Sequence, residues 1–521
     1  MKYFFLIFIL STALFAQNSR IAIINETGSF IKDFSSDYSC VLDNSKTTWV
    51  SAGNYELSWT YHDASQIGQK CEVGRLDGTA YDFVSFALNS PSLYVFPYNS
   101  NTPAVTYAFD NSTYPMCTGA WNANVYAAIV QGRNKLYKFS SSSSSTPDWI
   151  YDGGSAAISD VETNWNGSYI IAGAKIGQQV ALIVFRPDSA TPLYTLYPSG
   201  SETSFRQIRI SKNSKYGYMG CSTKFYVWDL ETGVERGSGN TPASVDAHAI
   251  SGNGDYIAIG FGSLYLYKWN GTAYNREWTA SGSGSYFYAV GLNDDGSRVF
   301  GQLWNISANT RKFVYYNSSS STPVWTYDYP ASGGSGQNVP SSICSDQAGN
   351  YVITTTWGTS ADENEVAILD IENQQLAFSV NSPGSMFSSS ISPTGDYALA
   401  TGKAVHANVS GRGTDTYAIT SRSTGFKTFR KALPAWGGLR IYPNPVFDKL
   451  NVIYSSRKND EVIITIYDIC GKRIAEHKEK ALETGKLQRI LNMEACAAGV
   501  YHIVLKMNGK IIQNRRFTVI K

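Results

Sequence analysis

Two polar turns hold the residue types that could bind a calcium ion. They are Asn293-Asp294-Asp295-Gly296 and Asn253-Gly254-Asp255. Calcium prefers carboxylate and carbonyl oxygens, but neither turn is followed by the distal Glu that completes an EF-hand loop. Hairpin turns select the same Asn, Asp and Gly residues, because these adopt positive φ at low cost. We therefore expect tight turns here, with calcium binding as the alternative.

No short motif of a known catalytic chemistry occurs in the chain. There is no Gly-Lys-Ser/Thr phosphate loop, no Gly-x-Ser-x-Gly elbow and no paired His/Cys metal site. Two carboxylates from distant segments would serve glycoside hydrolysis, but the sequence singles out no such pair. The acidic run Asp362-Glu363-Asn364-Glu365 is expected to be a solvated insertion. We therefore predict no catalytic residue, no metal ligand and no cofactor.

Aromatic and sulfur-containing side chains allow two further interpretations. Trp121, Trp165 and Trp304 could stack on sugar rings, although packing between repeated units is the commoner role of such residues. The cysteines are odd in number and widely spaced, which predicts neither a disulfide framework nor a zinc site. We expect them to be small buried apolar residues. They are Cys40, Cys71, Cys117, Cys221, Cys344, Cys470 and Cys496.

An internal repeat of about 45 residues runs through residues 60 to 420. Each copy has a polar turn followed by an aromatic or apolar strand, as in NGDYIAIG (253–260) and TGDYALATG (394–402). A second mark, such as TPDWIY (146–151) or TPVWTY (322–327), recurs at a fixed offset from the turn. The turn positions are Gly78, Ala123, Gly167, Ser214, Gly254, Gly296, Gly349 and Gly395.

Each repeat predicts three or four short strands with alternating polar and apolar residues. One such sheet cannot bury both of its faces, whereas sheets arranged radially in a closed ring can. The fold class predicted is all-β, with an eight-bladed β-propeller favoured and seven blades as the alternative. YELSWTY (55–61) should close the ring by pairing with the last blade (395–421). A faint ninth mark at 35–43 leaves the blade number open, and an array of β-sandwiches is the rival fold.

Composition agrees with an all-β exported chain. The sequence has 35 Tyr, 24 Phe, 12 Trp and 45 Gly, which favour strands and turns. A net charge of only +2 argues against nucleic acid as a partner. Residues 1–16 resemble a secretory signal, with Lys2 before an apolar run that is too short to span a membrane comfortably. After removal of this signal we predict no transmembrane span.

The composition changes near residue 438. Residues 439–521 contain 15 Lys and Arg against 8 Asp and Glu, whereas the preceding part carries a net negative charge. Residues 422–438 have the Gly, Pro and basic residues of a linker. We predict a signal peptide (1–16), a propeller (17–421), this linker, and a small antiparallel β-sandwich (439–521).

Two stretches resemble known families. FYVWDLETG (225–233) resembles the Trp-Asp strand and turn of WD40 and YVTN-like propeller repeats. Residues 439–521 resemble the type A C-terminal sorting domain of the type IX secretion system in Bacteroidetes. The residues that carry this second resemblance are Tyr442, Pro443, Asn444, Pro445, Asp468, Gly471, Lys472, Gly499 and Tyr501.

The second resemblance implies an exported protein. It implies passage through the periplasm, contact between the C-terminal domain and the type IX machinery, and delivery to the cell surface or the medium. For the propeller we expect a non-catalytic binding or adhesion scaffold with a protein or glycan ligand. A glycan-active hydrolase or lyase with its site at the propeller mouth is the alternative, and a quinone-dependent dehydrogenase is a weaker one.

Overall fold

The computed structural model describes residues 21–24, 30–34, 39–42, 48–51, 55–421 and 439–521, with short gaps in the last two ranges. The predicted signal peptide (1–16) and linker (422–438) lie outside the described residues. The described part contains strands, turns and bends, and no helix in it is long and apolar enough to cross a membrane. The gaps are 65–66, 77–79, 88–91, 99, 110–113, 122, 124, 141–143, 242–246, 331–337, 359–363, 407–412, 443–445, 457–458, 469–471, 482–484, 495 and 509.

The chain divides into two compact units, Met1–Arg422 and Ser423–Lys521. In the first unit, five strands precede the repeats: β1 (Ile21–Ile24), β2 (Phe30–Phe34), β3 (Ser39–Leu42), β4 (Thr48–Ser51) and β5 (Tyr55–Asp63). Strands β1 and β2 pair with each other. The next 31 strands, β6 to β36, follow the repeat seen in the sequence.

Within the described ranges these strands form eight antiparallel sheets, which we number 1 to 8 along the chain. Sheet 1 contains β6 (Gly68–Leu76), β7 (Ala80–Ala87), β8 (Ser92–Pro97) and β9 (Val105–Ala108); sheet 2 contains β10 (Pro115–Gly119), β11 (Tyr126–Val130), β12 (Lys135–Phe139) and β13 (Trp149–Asp152). Sheet 3 contains β14 (Ala157–Thr163), β15 (Ile170–Ile176), β16 (Gln179–Phe185) and β17 (Tyr194–Leu196); sheet 4 contains β18 (Phe205–Ile210), β19 (Tyr216–Cys221), β20 (Lys224–Asp229) and β21 (Val234–Asn240).

The second half of the unit repeats this arrangement. Sheet 5 contains β22 (Ala247–Ile250), β23 (Tyr256–Gly260), β24 (Ser263–Trp269) and β25 (Tyr274–Ser281); sheet 6 contains β26 (Tyr286–Leu292), β27 (Arg298–Asn305), β28 (Thr310–Asn317) and β29 (Trp325–Asp328). Sheet 7 contains β30 (Pro340–Ser345), β31 (Tyr351–Thr356), β32 (Val366–Asp370) and β33 (Gln375–Asn381); sheet 8 contains β34 (Met386–Ile391), β35 (Tyr397–Lys403) and β36 (Thr414–Ser421), completed by β5.

Both ends of the repeat region meet in sheet 8. Strand β5 pairs with β36 in antiparallel register from Thr414↔Asp63 to Ser421↔Tyr55, which confirms the pairing predicted for residues 55–61. Among the residues that the structure describes, the faint ninth mark (35–43) forms no ninth sheet. Instead β3 pairs with β4, and β4 pairs with β33, so that this hairpin extends the outer edge of sheet 7.

Neighbouring sheets contact each other through their first strands. Strand β6 contacts β10, and the series continues through β14, β18, β22, β26 and β30 to β34, which contacts β6 again. Apolar side chains fill the space between successive sheets. Leu136 of sheet 2 and Ile183 of sheet 3 belong to one buried cluster, and Phe300 of sheet 6 and Leu369 of sheet 7 belong to another. Each sheet thus buries its faces against two neighbours.

The turn mark of the repeat explains how adjacent sheets fit together. Gly254 and Gly296 have φ of 78° and 72°, and each turn lies against a Tyr of the preceding sheet. A Cβ atom on Gly254 would lie 2.3 Å from Tyr216, and one on Gly296 would lie 2.2 Å from Tyr256. The Gly of one copy therefore leaves room for the Tyr of the copy before it.

Backbone hydrogen bonds connect these turns in sequence. The N–H groups of Trp165, Asn213, Asn253, Asp294 and Gln347 each donate to a carbonyl in the turn of the next sheet, at 2.8–3.1 Å. We call this end of the sheets the turn end. It carries the hairpins between first and second strands, whereas the hairpins between second and third strands lie at the opposite end.

The second sequence mark lies on the fourth strands. The indole of Trp149 donates to the carbonyl of Pro187, and that of Trp278 donates to the carbonyl of Ser318, at 2.9 and 2.7 Å. Trp59 on β5 makes the same bond to Tyr98, at 3.0 Å. In each case the acceptor belongs to the next sheet, so these Trp residues join the outer edges of neighbouring sheets.

The described residues of the second unit form seven strands in two antiparallel sheets. Strands β37, β38 and β41 form one sheet, and β40, β39, β42 and β43 form the other. Leu450 and Val452 of the first sheet share one buried core with Ile464, Ile503 and Phe517 of the second. The strands are β37 (Arg440–Tyr442), β38 (Lys449–Ser456), β39 (Glu461–Asp468), β40 (Arg473–Lys480), β41 (Gly485–Asn492), β42 (Gly499–Met507) and β43 (Lys510–Val519).

Candidate functional site

A cavity of about 620 Å³ lies among the first strands of all eight sheets. Every one of these strands contributes at least one lining residue, from Met116 on β10 to the run Phe387–Ile391 on β34. Alternate residues of a strand point to opposite faces, so each first strand places only part of its side chains along the cavity. All eight sheets therefore meet at this cavity.

Six of the eight first strands carry a β-bulge near the end opposite the turn end. On β26, for example, Phe287 pairs with Leu303 and Ala289 pairs with Gln302, which leaves Tyr288 as the extra residue. A bulge bends the strand and redirects a side chain, and such irregularities are frequent beside functional sites. The bulged residues, which we call the mouth residues, all line the cavity: Gln69 and Lys70, Ser159, Arg206, Tyr288, Ser341 and Phe387.

Aromatic rings lie along one side of this mouth. Tyr288 is 42% exposed and contacts Trp304 edge-to-face, with 5.3 Å between ring centroids. Tyr286 lies 6.5 Å from Tyr288 and 5.2 Å from Phe261, which is 44% exposed. The mouth thus combines exposed rings with polar residues, a composition typical of ligand sites.

Along the cavity wall, six charged side chains, including the mouth residue Lys70, form one ionic network. Lys70 Nζ donates to Asp160 Oδ1 at 3.2 Å, and Lys212 Nζ donates to Glu162 Oε2 at 3.0 Å. Lys212 Nζ also lies 3.9 Å from Glu72 Oε1. Arg209 Nη1 lies 3.5 Å from Glu162 Oε1. Three cations therefore balance three carboxylates, and the pairs join residues of sheets 1, 3 and 4.

The two glutamates of this network differ in acidity. Burial opposes ionisation of Glu162, but Lys212, Lys70 and Arg209 outweigh it and lower its pKa to about 2. Burial raises the pKa of Glu72; Lys212 only partly offsets this, and the charge of Glu162 adds to it. Burial alone would lower the pKa of Lys212, but Glu162 and Glu72 raise it. Glu162 is thus the firmly ionised member of the pair.

The part of the cavity wall formed by sheet 8 is rich in serine, and its hydroxyls form hydrogen bonds to the neighbouring strand of sheet 1. The backbone N–H of Cys71 donates to Ser388 Oγ, and that of Val73 donates to Ser390 Oγ. Ser390 Oγ in turn donates to Glu72 Oε1 at 3.1 Å. These bonds join sheet 8 to sheet 1, so this wall stabilises the contact between the first and last sheets.

The polar turns considered for calcium are hydrogen-bonded hairpin turns. Asn253 Oδ1 accepts from the N–H of Asp255 at 3.0 Å, and Asn293 Oδ1 accepts from the N–H of Arg298 at 2.9 Å. With the positive φ of Gly254 and Gly296, this confirms the turn interpretation. In the described part of the chain, no group of three or more His, Cys, Asp or Glu side chains is placed to hold a metal ion.

The tryptophans divide between packing and the cavity. Trp121 and Trp304 are buried, at 1% and 8% exposure, which confirms the packing role expected for them. Neither residue is therefore an exposed ring on which a sugar could stack. Trp165 is partly exposed and lines the cavity. Cys71, Cys117 and Cys221 are buried free thiols, as predicted, whereas Cys344 and Cys496 are partly exposed. The side chains of Cys40 and Cys470 lie outside the described residues.

The prediction of a solvated acidic loop is wrong for its last residues. Glu365 is fully buried, and its Oε2 accepts from the N–H of Ser382 at 2.8 Å. The carbonyl of Asn364 accepts from the buried Arg311 at 2.8 Å. Both residues directly precede strand β32 (Val366–Asp370), and these polar groups have partners inside the unit. Asp362 and Glu363 lie outside the described residues.

Several residues of the predicted sorting motif fall on strands of the second unit. Tyr442 ends β37 and pairs with Asn451, while Pro443, Asn444, Pro445 and Gly471 lie outside the described residues. Asp468 Oδ1 accepts from the N–H of Lys472 at 2.9 Å, which closes the turn after β39. Gly499 begins β42, and Tyr501 on the same strand stacks on Phe517 and donates to the carbonyl of Ala497.

Sequence reasoning missed the mouth residues and the ionic network. Bulges leave no reliable pattern in a sequence, so the mouth residues carried no signal. The network did carry one: Lys70 and Glu72, and Asp160 and Glu162, alternate within strands that are otherwise mostly apolar. Charges at positions i and i+2 share one face of a strand, and a polar inner face indicates an internal channel.

Comparison with known proteins gives a match for the second unit. Residues 440–520 match the family model described as the secretion system C-terminal sorting domain. No curated protein matches the chain at the level required for a reliable relationship. The sorting domain implies interaction with the type IX secretion machinery, and it marks the chain as a protein exported to the cell surface or released from the cell.

Proposed function

We propose that this protein is an exported binding or adhesion scaffold that holds its ligand at the mouth of the central cavity. The observation that carries the proposal is the set of bulged residues. One backbone irregularity recurs in six sheets, yet it presents amide, ammonium, hydroxyl, guanidinium and aromatic groups in turn. A position that is fixed in geometry and varied in chemistry suits recognition of one specific ligand.

The architecture proposed for this scaffold is a closed eight-bladed propeller, spanning residues 17–421. Eight sheets with first-strand contacts that return to the start, and a last sheet shared by both ends of the region, support it. The WD40-like turn at Trp228-Asp229 fits the same architecture, since Asp229 Oδ1 accepts from the N–H of Glu231. An experimental structure with seven blades, or with stacked sandwiches, would contradict it.

The ionic network favours binding over catalysis. A general acid or base must be able to exchange a proton with a substrate. Asp160 instead contacts two cations of the network, and Glu162 contacts three. Their arrangement suits a structural role that joins sheets 1, 3 and 4 around the cavity.

A second candidate function is a glycan-active hydrolase. It is favoured by Glu72 and Glu162, two carboxylates that contact the same Lys212 and have pKa values shifted in opposite directions. Two carboxylates whose pKa values are shifted apart can supply the acid and the base of glycoside hydrolysis. In this case Glu72 would be the acid, because burial favours its protonated form.

One experiment separates the two functions. The purified exported protein is applied to a glycan array and, in parallel, to a panel of glycosidase and lyase substrates. The binding function predicts retained ligands without turnover, and loss of retention for Tyr288→Ala. Turnover that disappears in a folded Glu72→Gln variant would instead establish the hydrolase.

We further propose that the sorting signal consists of the motif residues together with the two-sheet unit that carries them. They are Tyr442, Pro443, Asn444, Pro445, Asp468, Gly471, Lys472, Gly499 and Tyr501. Deletion of 439–521 in the native host should leave the protein inside the cell. Delivery of the shortened protein to the surface or the medium would contradict this role.

A further inference from the structure

We propose that four outer loops of the first unit carry O-linked glycans, each attached to an exposed threonine. The loops join the third strand to the fourth in sheets 1, 2, 3 and 6. The proposal does not depend on the binding function above, and it uses only the export that the sorting domain implies. The acceptor residues are Thr102, Thr146, Thr191 and Thr322.

The four loops share one turn. In each loop a Ser two positions before the Thr accepts a hydrogen bond from the Thr N–H, at 3.0–3.2 Å. The residue two positions after the Thr donates its N–H to a carbonyl of the third strand, at 2.7–2.8 Å. A Pro follows the Thr in all four loops, and a residue before Pro is held in an extended conformation. The turn therefore presents the Thr from a fixed, extended backbone.

The threonine side chains are available for a reaction. All four are exposed, and among the described residues none of their hydroxyl groups makes a hydrogen bond. The position just before the Thr, by contrast, changes from loop to loop. It is occupied by Asn101, Ser145, Ala190 and Ser321. The same hydroxyl thus recurs in four sheets although no contact within the sheets uses it.

The connection between the strands does not itself require this threonine. Sheets 4, 5 and 7 make it with Asp229, Asn270 and Asp370, whose side-chain oxygens accept from backbone N–H groups of the loop. Sheet 5 also has a threonine at this point, but the Thr272 hydroxyl donates to Asn270 Oδ1 at 3.0 Å. Such a local bond already satisfies a hydroxyl group. Thr272 is therefore a natural control for the four acceptor residues.

The composition of the loops favours a sugar as the attached group. Residues 140–147 (SSSSSSTP) and 317–323 (NSSSSTP) are rich in Ser and contain no Lys or Arg. Segments rich in Ser and Thr that also contain Pro are typical of O-glycosylated regions. A phosphate would need neighbouring cations, and Asp148 and Asp188 instead place negative charge near Thr146 and Thr191. An uncharged glycan suits these surroundings better.

The location of the loops keeps the glycans away from the mouth. Consecutive strands of each sheet are antiparallel, so the third and fourth strands join at the same end as the first and second. This is the turn end, at the outer edge of the sheets, whereas the mouth lies at the opposite end. Glycans on these loops would cover the outer edge and leave the cavity open.

The reaction is a glycosyl transfer from a sugar that is activated as a phosphate or diphosphate ester. The threonine Oγ1 atom attacks the anomeric carbon and forms a glycosidic carbon–oxygen bond. The bond between that carbon and the phosphate oxygen breaks, and the phosphate group leaves with its electron pair. The hydroxyl proton passes to a base of the transferring enzyme, so that no oxidant or reductant takes part.

The test is mass spectrometry of the full exported protein from the native host, compared with the same chain made by cell-free synthesis without sugar donors. Peptides that contain the four threonines should be heavier by whole sugar residues in the native protein only. Thr191→Val and Thr322→Val keep the branched side chain but lack the hydroxyl, and each should lose the added mass from its own peptide alone. Thr272→Val should leave the glycan pattern unchanged.

Three results would overturn the proposal. Loop peptides without added mass in the native protein reject the modification, and this measurement needs no variant to fold. An added mass equal to a phosphate group rejects the sugar. Sugar that remains on the loop peptides of Thr191→Val and Thr322→Val places the attachment on another residue. None of these results changes the array experiment, which tests binding at the mouth separately.

Discussion

The turn end of the sheets and the mouth at the opposite end differ in how they use the repeat. At the turn end the same chemistry recurs: Gly254 and Gly296 both have positive φ and both lie against a Tyr of the preceding sheet. At the mouth the backbone recurs but the side chains differ, from Arg206 to Tyr288 to Phe387. Uniform residues join each sheet to the next, and varied residues face the cavity.

This difference gives a rule for dividing the unit into structural and recognition positions. Every sheet makes the same contact with its neighbour, so the same residues can be used for it in each repeat. Under the proposed binding function, a ligand that contacts several sheets needs a different group from each of them. Substitutions at the turn end and in the ionic network, which includes Lys70, should therefore change stability, whereas substitutions at the other mouth residues should change binding.

The largest effect is expected in the ionic network. Glu162→Gln leaves Lys212, Arg209 and Lys70 short of a carboxylate in a buried site, and should lower the free energy of unfolding by about 3–5 kcal/mol. Glu72→Gln is the matched control and should cost much less, because burial already disfavours the charged form of Glu72. Chemical denaturation of both variants at pH 7 measures the difference. Equal losses of unfolding free energy in the two variants would contradict the assignment of Glu162 as the firmly ionised glutamate.

The same network predicts how stability depends on pH. The pKa of Glu162 is lowered to about 2 in the folded protein, from 4.5 when unfolded, so the unfolded state takes up its proton first on acidification. The stabilisation is present in full above about pH 4.5 and is lost as the pH falls towards 2. Glu72 acts in the opposite sense because its pKa is raised. The decrease in the free energy of unfolding on acidification should therefore be smaller in Glu162→Gln than in the unchanged protein.

The second largest loss of stability is expected at a turn glycine. Gly296→Ala places a methyl group against Tyr256 at positive φ and should cost about 2–3 kcal/mol, from backbone strain and crowding together. Gly132→Ala isolates the strain, since Gly132 has φ of 76° and open space around its Cβ position. It should cost about 1 kcal/mol in thermal or chemical unfolding. If both variants lose the same amount, the contact between neighbouring sheets does not depend on this glycine.

A smaller loss is expected at the outer edges of the sheets. Trp278→Phe keeps an aromatic ring beside Tyr316 but removes the indole donor to the carbonyl of Ser318, which should cost about 1 kcal/mol. Trp149→Phe removes the equivalent bond to Pro187 and should cost a similar amount. Unchanged melting temperatures for both would show that the outer strands contribute little to holding the sheets together.

The smallest change in stability should come from the mouth. Tyr288→Ala removes an exposed ring from a bulge and should alter the free energy of unfolding by about 1 kcal/mol or less. Its effect should appear in ligand binding instead. A loss as large as that of Gly296→Ala would mean that the mouth residues also hold the sheets together, and the division between the two ends would fail.

Local patterns in the sequence determined much of the fold. The period of the turn and fourth-strand marks predicted repeated small sheets, and YELSWTY predicted the strand that completes sheet 8. These features are predictable because turn geometry restricts residue choice to Gly, Asn and Asp, and because strands alternate their faces. The resemblance of residues 439–521 to type IX sorting domains predicted the family that residues 440–520 match.

Only the tertiary structure decided which residues share the cavity. Glu72, Glu162 and Lys212 are far apart in the chain, and they meet because neighbouring sheets bring their first strands together. The bulges that present Arg206 and Tyr288 depend on one extra residue in a strand, which alternation in the sequence does not reveal. The sequence by itself determined the repeating unit and the export signal, since both depend on local residue preferences. The mouth and the network required the sheets to be assembled, because their residues become neighbours only through contacts between sheets.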